Sequence, residues 1–126
     1  DRLIPTEFST VVTFATSALR AAMERARLLS NATQNGTVKL EIEGGVVSAH
    51  VNSPEVRRVN EEIDAENVSG DNLTISFNPT YLIEALRAVN SEKVTISFIS
   101  AVRPFTLVPS DQEEDFIQLI TPVRTN

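Results

Sequence analysis

The stretch Ser76 to Asn90, SFNPTYLIEALRAVN, joins two periodicities and sets the plan for most of the chain. Leu73, Ile75 and Phe77 alternate with Thr74, Ser76 and Asn78, the period-2 pattern of a half-buried strand. Asn78 changes the rule. Its short side chain can accept a bond from an orphan helical N–H, and Pro79 brings a pre-set φ to the first helical position, where no N–H is needed. A helix is predicted over Pro79 to Asn90. Leu82, Ala85, Leu86 and Val89 recur at i, i+3, i+4 and i+7 as one apolar stripe, with Thr80, Glu84 and Arg87 opposite and Tyr81 and Ile83 flanking it.

The same plan stands earlier in the chain. Phe8, Thr10, Val12 and Phe14 alternate with Ser9, Val11 and Thr13, and a helix is predicted over Thr16 to Leu29 from the spacing of Ala18, Leu19, Ala22, Met23, Ala26 and Leu29. A single shift of the sequence against itself lays Val12 on Ile75, Phe14 on Phe77, Leu19 on Leu82, Ala22 on Ala85 and Met23 on Leu86. Three strand-like runs follow each helix. The first set is Val38 to Ile42, a Glu43-Gly44-Gly45 turn, Val46 to Val51 and the polar run Glu55 to Asp64; the second is Val94 to Ile99, Phe105 to Val108 and Phe116 to Thr121. Gly70-Asp71 separates the halves. The expected fold is α+β: duplicated βαβββ units, each too small to stand alone, pairing so that two helices pack on two antiparallel sheets. Residues 1–6 read as a leading linker and 7–126 as one domain, and a first residue of Asp rather than Met leads us to expect a fragment.

Eleven basic and seventeen acidic residues give −6, which speaks against a duplex-binding surface if the charge is averaged. The distribution is uneven. The two predicted helices hold Arg20, Arg25, Arg27 and Arg87 against Glu24 and Glu84, a balance of +2 that leaves −8 to the remainder. By helical projection Arg20, Glu24 and Arg27 point away from the Leu19–Met23–Ala26 stripe, and Arg87 away from Leu82–Leu86, so three arginines are expected on one outer face.

Catalytic chemistry has no candidates. The chain lacks cysteine, and no P-loop, dinucleotide fingerprint or nucleophile elbow is present. His50, the sole histidine, has no serine or acid assigned to it by sequence and reads as an ordinary strand residue. Glu61, Glu62 and Asp64 lack the glycine-punctuated loop of a calcium motif and read as an edge strand protected by charge; no metal or cofactor is expected. No apolar run approaches a membrane span, and a soluble domain is expected. Some apolar residues are left over: Leu28 lies off its stripe, and Tyr81, Val102, Pro104 and Ile120 to Val123 suggest a groove.

Three segments, the ARLLSN of Ala26 to Asn31, the FNPTYLIEAL of Phe77 to Leu86 and the ITPVR of Ile120 to Arg124, together with the duplicated plan around them, resemble the third, C-terminal domain of the bacterial replication sliding clamp. The resemblance covers essentially the whole chain. It implies a head-to-tail ring of two three-domain subunits, cytoplasmic and nucleoid-associated, with sheets outside and helices around duplex DNA. Arg20, Arg27 and Arg87 would then face DNA, and Leu28 and Leu29 would meet the second subunit. It also implies a cleft for clamp-binding motif peptides of polymerase, clamp loader and repair proteins, built from Arg2, Leu3, Gln34, Asn78, Tyr81, Val102, Pro104, Leu119, Ile120, Thr121, Pro122, Val123 and Arg124. Gln34 departs from the family, standing where an aromatic occurs, and Thr125-Asn126 extend the tail. The competing expectation is an autonomous protein-interaction domain that shares the fold without encircling DNA.

Overall fold

Why the two halves depend on each other is visible in the strand order of the computed structural model, which describes residues 8–30, 36–53, 57–110 and 118–123. The elements run β1 (Thr10–Ala15), α1 (Thr16–Ser30), β2 (Val38–Glu43), β3 (Val46–Ser53), β4 (Arg57–Ile63), β5 (Ala65–Gly70), β6 (Leu73–Phe77), α2 (Pro79–Arg87), β7 (Lys93–Phe98), β8 (Phe105–Pro109) and β9 (Gln118–Ile120). One antiparallel sheet has the order β5-β1-β7-β8-β9 and the other β4-β3-β2-β6. The first strand of each half therefore sits in the sheet of the other. Units with a sheet of their own were expected; instead β1 pairs with β7, Phe14 opposite Val94, and β6 pairs with β2, Phe77 opposite Val38.

Alternation decides which faces meet. Along β1, Val12 and Phe14 are buried while Val11 and Thr13 are partly open, and β2 repeats the pattern with Val38, Leu40 and Ile42. These faces meet the helix stripes: Leu19, Ala22, Met23 and Ala26 of α1, and Leu82, Ala85 and Leu86 of α2. Ile83 is fully buried as well, so it joins the α2 core face rather than flanking it, whereas Tyr81 stays exposed. A helix set against α1 as well as the sheets buries a wider arc than one stripe. Where the halves join, the Phe105 ring lies 5.3 Å from Phe77 in an edge-on contact and 5.0 Å from Phe98.

Three boundaries differ from expectation. The second helix ends at Arg87, not Asn90, because Ala88 turns its N–H to the carbonyls of Ala85 and Leu86 and tightens the last turn; Val89 is buried beyond it. The polar run 55–64 narrows among its described residues to β4, Arg57–Ile63, with Asp64 outside the strand. The third difference is β5, a strand where a plain junction between halves was expected. Its sequence AENVSG has no alternation to announce it, and only Ala65 and Val68 lean on the core. Backbone pairing with β1 holds it. The register slips between Thr13↔Asn67 and Phe14↔Ala65, a bulge that leaves Glu66 unpaired and free to reach across to Lys93 Nζ at 2.9 Å. That hydrogen bond holds the Lys93 ammonium above the usual lysine range.

Candidate functional site

The α1/α2 face comes first. Arg20 and Glu24 lie one turn apart on α1, and Arg87 in the last turn of α2 comes to the same glutamate: Glu24 Oε2 is 3.7 Å from Arg20 Nε and 3.8 Å from Arg87 Nη2. Two arginines from different halves thus share one acid. Arg27, in the last turn of α1, is half-buried and less open than either, so the structure joins two of the three expected arginines directly. Arg25 turns the other way, to Glu61 on β4, and its guanidinium is raised further above its ordinary range by that hydrogen-bonded pair.

A groove lies on the other side of α2. Asn78 caps the helix, its Oδ1 accepting from Thr80 N–H at 2.9 Å, so its side-chain oxygen positions the helix rather than a ligand. Tyr81 projects with 59% of its surface exposed. Opposite runs β9 and the tail beyond it, tied down where Val123 N–H donates to Ser76 C=O at 2.8 Å. Between them is an open hollow of about 520 Å³ lined by Tyr81, Glu84, Ala85, Gln118, Leu119, Ile120 and Thr121.

Of the expected cleft residues, this hollow gathers Tyr81, Leu119, Ile120 and Thr121. Ile120 is 4% exposed, so its side chain belongs to the core and only its edge reaches the groove. Val102 and Pro104 are exposed on the β7–β8 connection; the pairing of Phe105 with Ile120 brings that connection alongside the tail, but neither lines the hollow. Pro122 is half-buried and Val123 exposed, and neither lines the hollow. Arg2, Leu3, Gln34 and Arg124 lie outside the described residues. Glu84, Ala85 and Gln118 were not anticipated, although Glu84 and Ala85 stand three and four positions after Tyr81, on its face of the helix.

Leu28 is 70% exposed and Leu29 is not its equal: Leu29 is half-buried against the core, as its place on the stripe dictates. Of the two leucines expected to meet the second subunit, only Leu28 is open.

His50 is also corrected. Cross-strand register sets Glu41 opposite Ser48 and His50 opposite Asn60, and the imidazole meets all three: Nε2 to Glu41 Oε1 at 2.9 Å, Ser48 Oγ to Nε2 at 3.2 Å, and Nδ1 to Asn60 Oδ1 at 2.6 Å. A serine and an acid are present after all. They converge on the same ring nitrogen, whereas a nucleophilic triad needs hydroxyl and carboxylate on opposite nitrogens. The cluster ties three strands together. Among the described residues no group of three or more His, Asp or Glu is placed to hold a metal ion, and no helix is long and apolar enough to cross a membrane.

Two helices packed side by side over two antiparallel sheets, with strands exchanged between halves and a groove beside the second helix, define a domain of the DNA-clamp class. The chain belongs to the family of the DNA polymerase III beta subunit, as its C-terminal domain, and that family's pattern matches residues 1–124. It is 76% identical over 126 residues to the beta sliding clamp of Streptococcus pneumoniae, covering all of this chain and 33% of that protein. The crystal structure of the DNA polymerase III beta chain of that organism superposes with a TM-score of 0.94, covering 99% of this chain and 33% of its own. A sliding clamp from Pseudomonas aeruginosa, solved bound to griselimycin, is 25% identical with a TM-score of 0.85, over 98% of this chain and 33% of that one. The chain thus spans about a third of the length of these relatives.

Proposed function

We propose that this domain is one sixth of a replication clamp: a ring of two three-domain subunits that encircles duplex DNA in the cytoplasm and tethers polymerase, clamp loader and repair proteins to it, without catalysing a reaction itself. The observation that carries this reading is the convergence of Arg20 and Arg87, from helices of the two different halves, on one solvent-facing patch. Positive charge in an otherwise acidic domain is concentrated where phosphates would pass. A ring holds DNA by topology, so a few cations interleaved with Glu24 suffice, and no base need be read.

The groove beside Tyr81 receives partner peptides. Tyr81 supplies a flat ring and a hydroxyl, Leu119 an apolar edge, and the irregular backbone after β9 can bond an extended segment. A relative solved with griselimycin bound supports a ligand-accepting surface in the family. With a labelled peptide carrying a glutamine and a hydrophobic pair, Tyr81→Ala is expected to weaken binding by at least ~1 kcal/mol, roughly fivefold or more, and Arg124→Ala by less. Fluorescence anisotropy measures both. Amide shifts induced by the peptide at Leu28 and the helix faces, with none near Tyr81, would place the groove elsewhere.

The ring closes through Leu28. Because Leu29 is anchored in the core, Leu28→Ala is the clean probe of the subunit contact, expected to cost about 1–2 kcal/mol of dimerisation in a three-domain chain, or about tenfold in its dissociation constant. Sedimentation across a dilution series reads this directly; an unchanged dimer constant removes Leu28 from the interface.

A further inference from the structure

We propose that Glu24 is a built-in competitor for phosphate, keeping Arg20 and Arg87 from gripping the nucleic-acid backbone firmly enough to impede sliding. The inference rests on the reading that the α1/α2 face lines the DNA. Its basis is geometric. One carboxylate oxygen serves both guanidinium groups at 3.7 and 3.8 Å, beyond the range of about 2.7–3.2 Å for an N–H···O bond. The contact is an electrostatic tether rather than a committed pair.

Two other cations among the described residues behave differently. Lys93 is hydrogen-bonded to Glu66 at 2.9 Å, and Arg25 forms a forked pair with Glu61. Those charges are spoken for. Arg20, Glu24 and Arg87 form instead a trio of net +1, with side chains 49%, 38% and 56% exposed. An arriving phosphate offers each arginine shorter, bidentate bonds, and the carboxylate competes for the same guanidinium, so each phosphate contact is made only part of the time. Glu24 cannot leave, because the α1 backbone fixes it one turn from Arg20. It repels the phosphate it has yielded to and reclaims the guanidinium when the duplex advances. Each contact is then broken about as easily as it is made.

The test uses a chain of the relatives' full length carrying this sequence as its C-terminal third, with a short fluorescent linear duplex that threads the ring. The slope of log K against log salt is read by anisotropy. Glu24→Gln keeps the shape and removes the charge. Each added phosphate contact contributes about 0.9 to the slope, so it should steepen by about 1–2 per copy of the domain in contact, widening the affinity ratio between 50 and 200 mM salt by roughly 3–12-fold. Glu24→Ala should match it. Arg20→Gln/Arg87→Gln should give a shallower slope, and adding Glu24→Gln to that background should change nothing. An unaltered slope in Glu24→Gln, with the arginine variant shallower, overturns the role of Glu24 and leaves the DNA-facing reading standing. Steepening by Glu24→Gln without the arginines also overturns it, since bulk charge then suffices. Unaltered slopes in every variant overturn the DNA-facing reading and this inference with it.

Discussion

Phe105→Ala is expected to lower stability by about 3–5 kcal/mol and the melting temperature by roughly 10–20 °C, the largest effect of any single change considered for this domain. Phe105 is 1% exposed and stands between Phe77 of one sheet and Phe98 of the other, with centroids 5.3 and 5.0 Å away. Truncation removes the ring that both partners contact. The cavity resists collapse because each neighbour is pinned by its own strand, so little of the lost packing is recovered. A second consequence reaches the groove. Phe105 pairs in register with Ile120, and Phe77 immediately precedes the capping Asn78, so the variant should also weaken peptide binding without touching peptide. Denaturant melts of the 126-residue chain check the first effect and anisotropy the second. A loss below about 1 kcal/mol would mean that the aromatic junction is not what couples the sheets.

Gly70→Ala is expected to destabilise by about 2–4 kcal/mol, although it adds a single methyl group to an exposed strand end. Gly70 has φ +103°, where L side chains are rarely found, and a Cβ there would stand 2.0 Å from Ser9 C=O and 2.9 Å from Thr10 Cα. Both obstacles are backbone. Nor can that backbone give way easily, because Ser9 N–H donates to Phe98 C=O, its Oγ to Ile99 C=O, and its own carbonyl accepts from Asp71 N–H. Relief of the clash breaks at least one of these bonds. The contrast is Gly45→Ala, also at positive φ but with open space around it, which should be milder. Thermal melts of the pair settle the comparison; equal losses would assign the effect to φ alone.

The sequence made the helices and the central strands legible because their burial is periodic. Asn78-Pro79 announced a cap that is present, and the alternation of Val12, Phe14, Ile75 and Phe77 marked strands that are buried on one face. β5 was invisible because backbone bonds hold it, and backbone bonds leave no pattern in side chains. Strand exchange was invisible for a related reason: periodicity says which face of a strand is buried, not which neighbour it has. The partners of His50 depended on cross-strand register, which single-strand spacing does not contain. At the groove, Tyr81 stood out as an aromatic off the stripe, whereas Gln118 and Glu84 look like any solvated residue until β9 is laid beside α2.

The exchange of first strands also sets a timetable during synthesis. Thr13 on β1 faces Thr95 on β7, 82 positions later, so at about 5–20 residues per second β1 waits roughly 4–16 s for that neighbour to leave the ribosome. Its edges stay open to stray pairing in the interval. β5 arrives earlier, with Thr10 opposite Gly70, and can cover one of those edges before β7 exists. The strand with the least side-chain signature is thus the first cross-chain partner β1 can have, acting as a chaperone in cis for a nascent chain whose halves cannot mature one after the other.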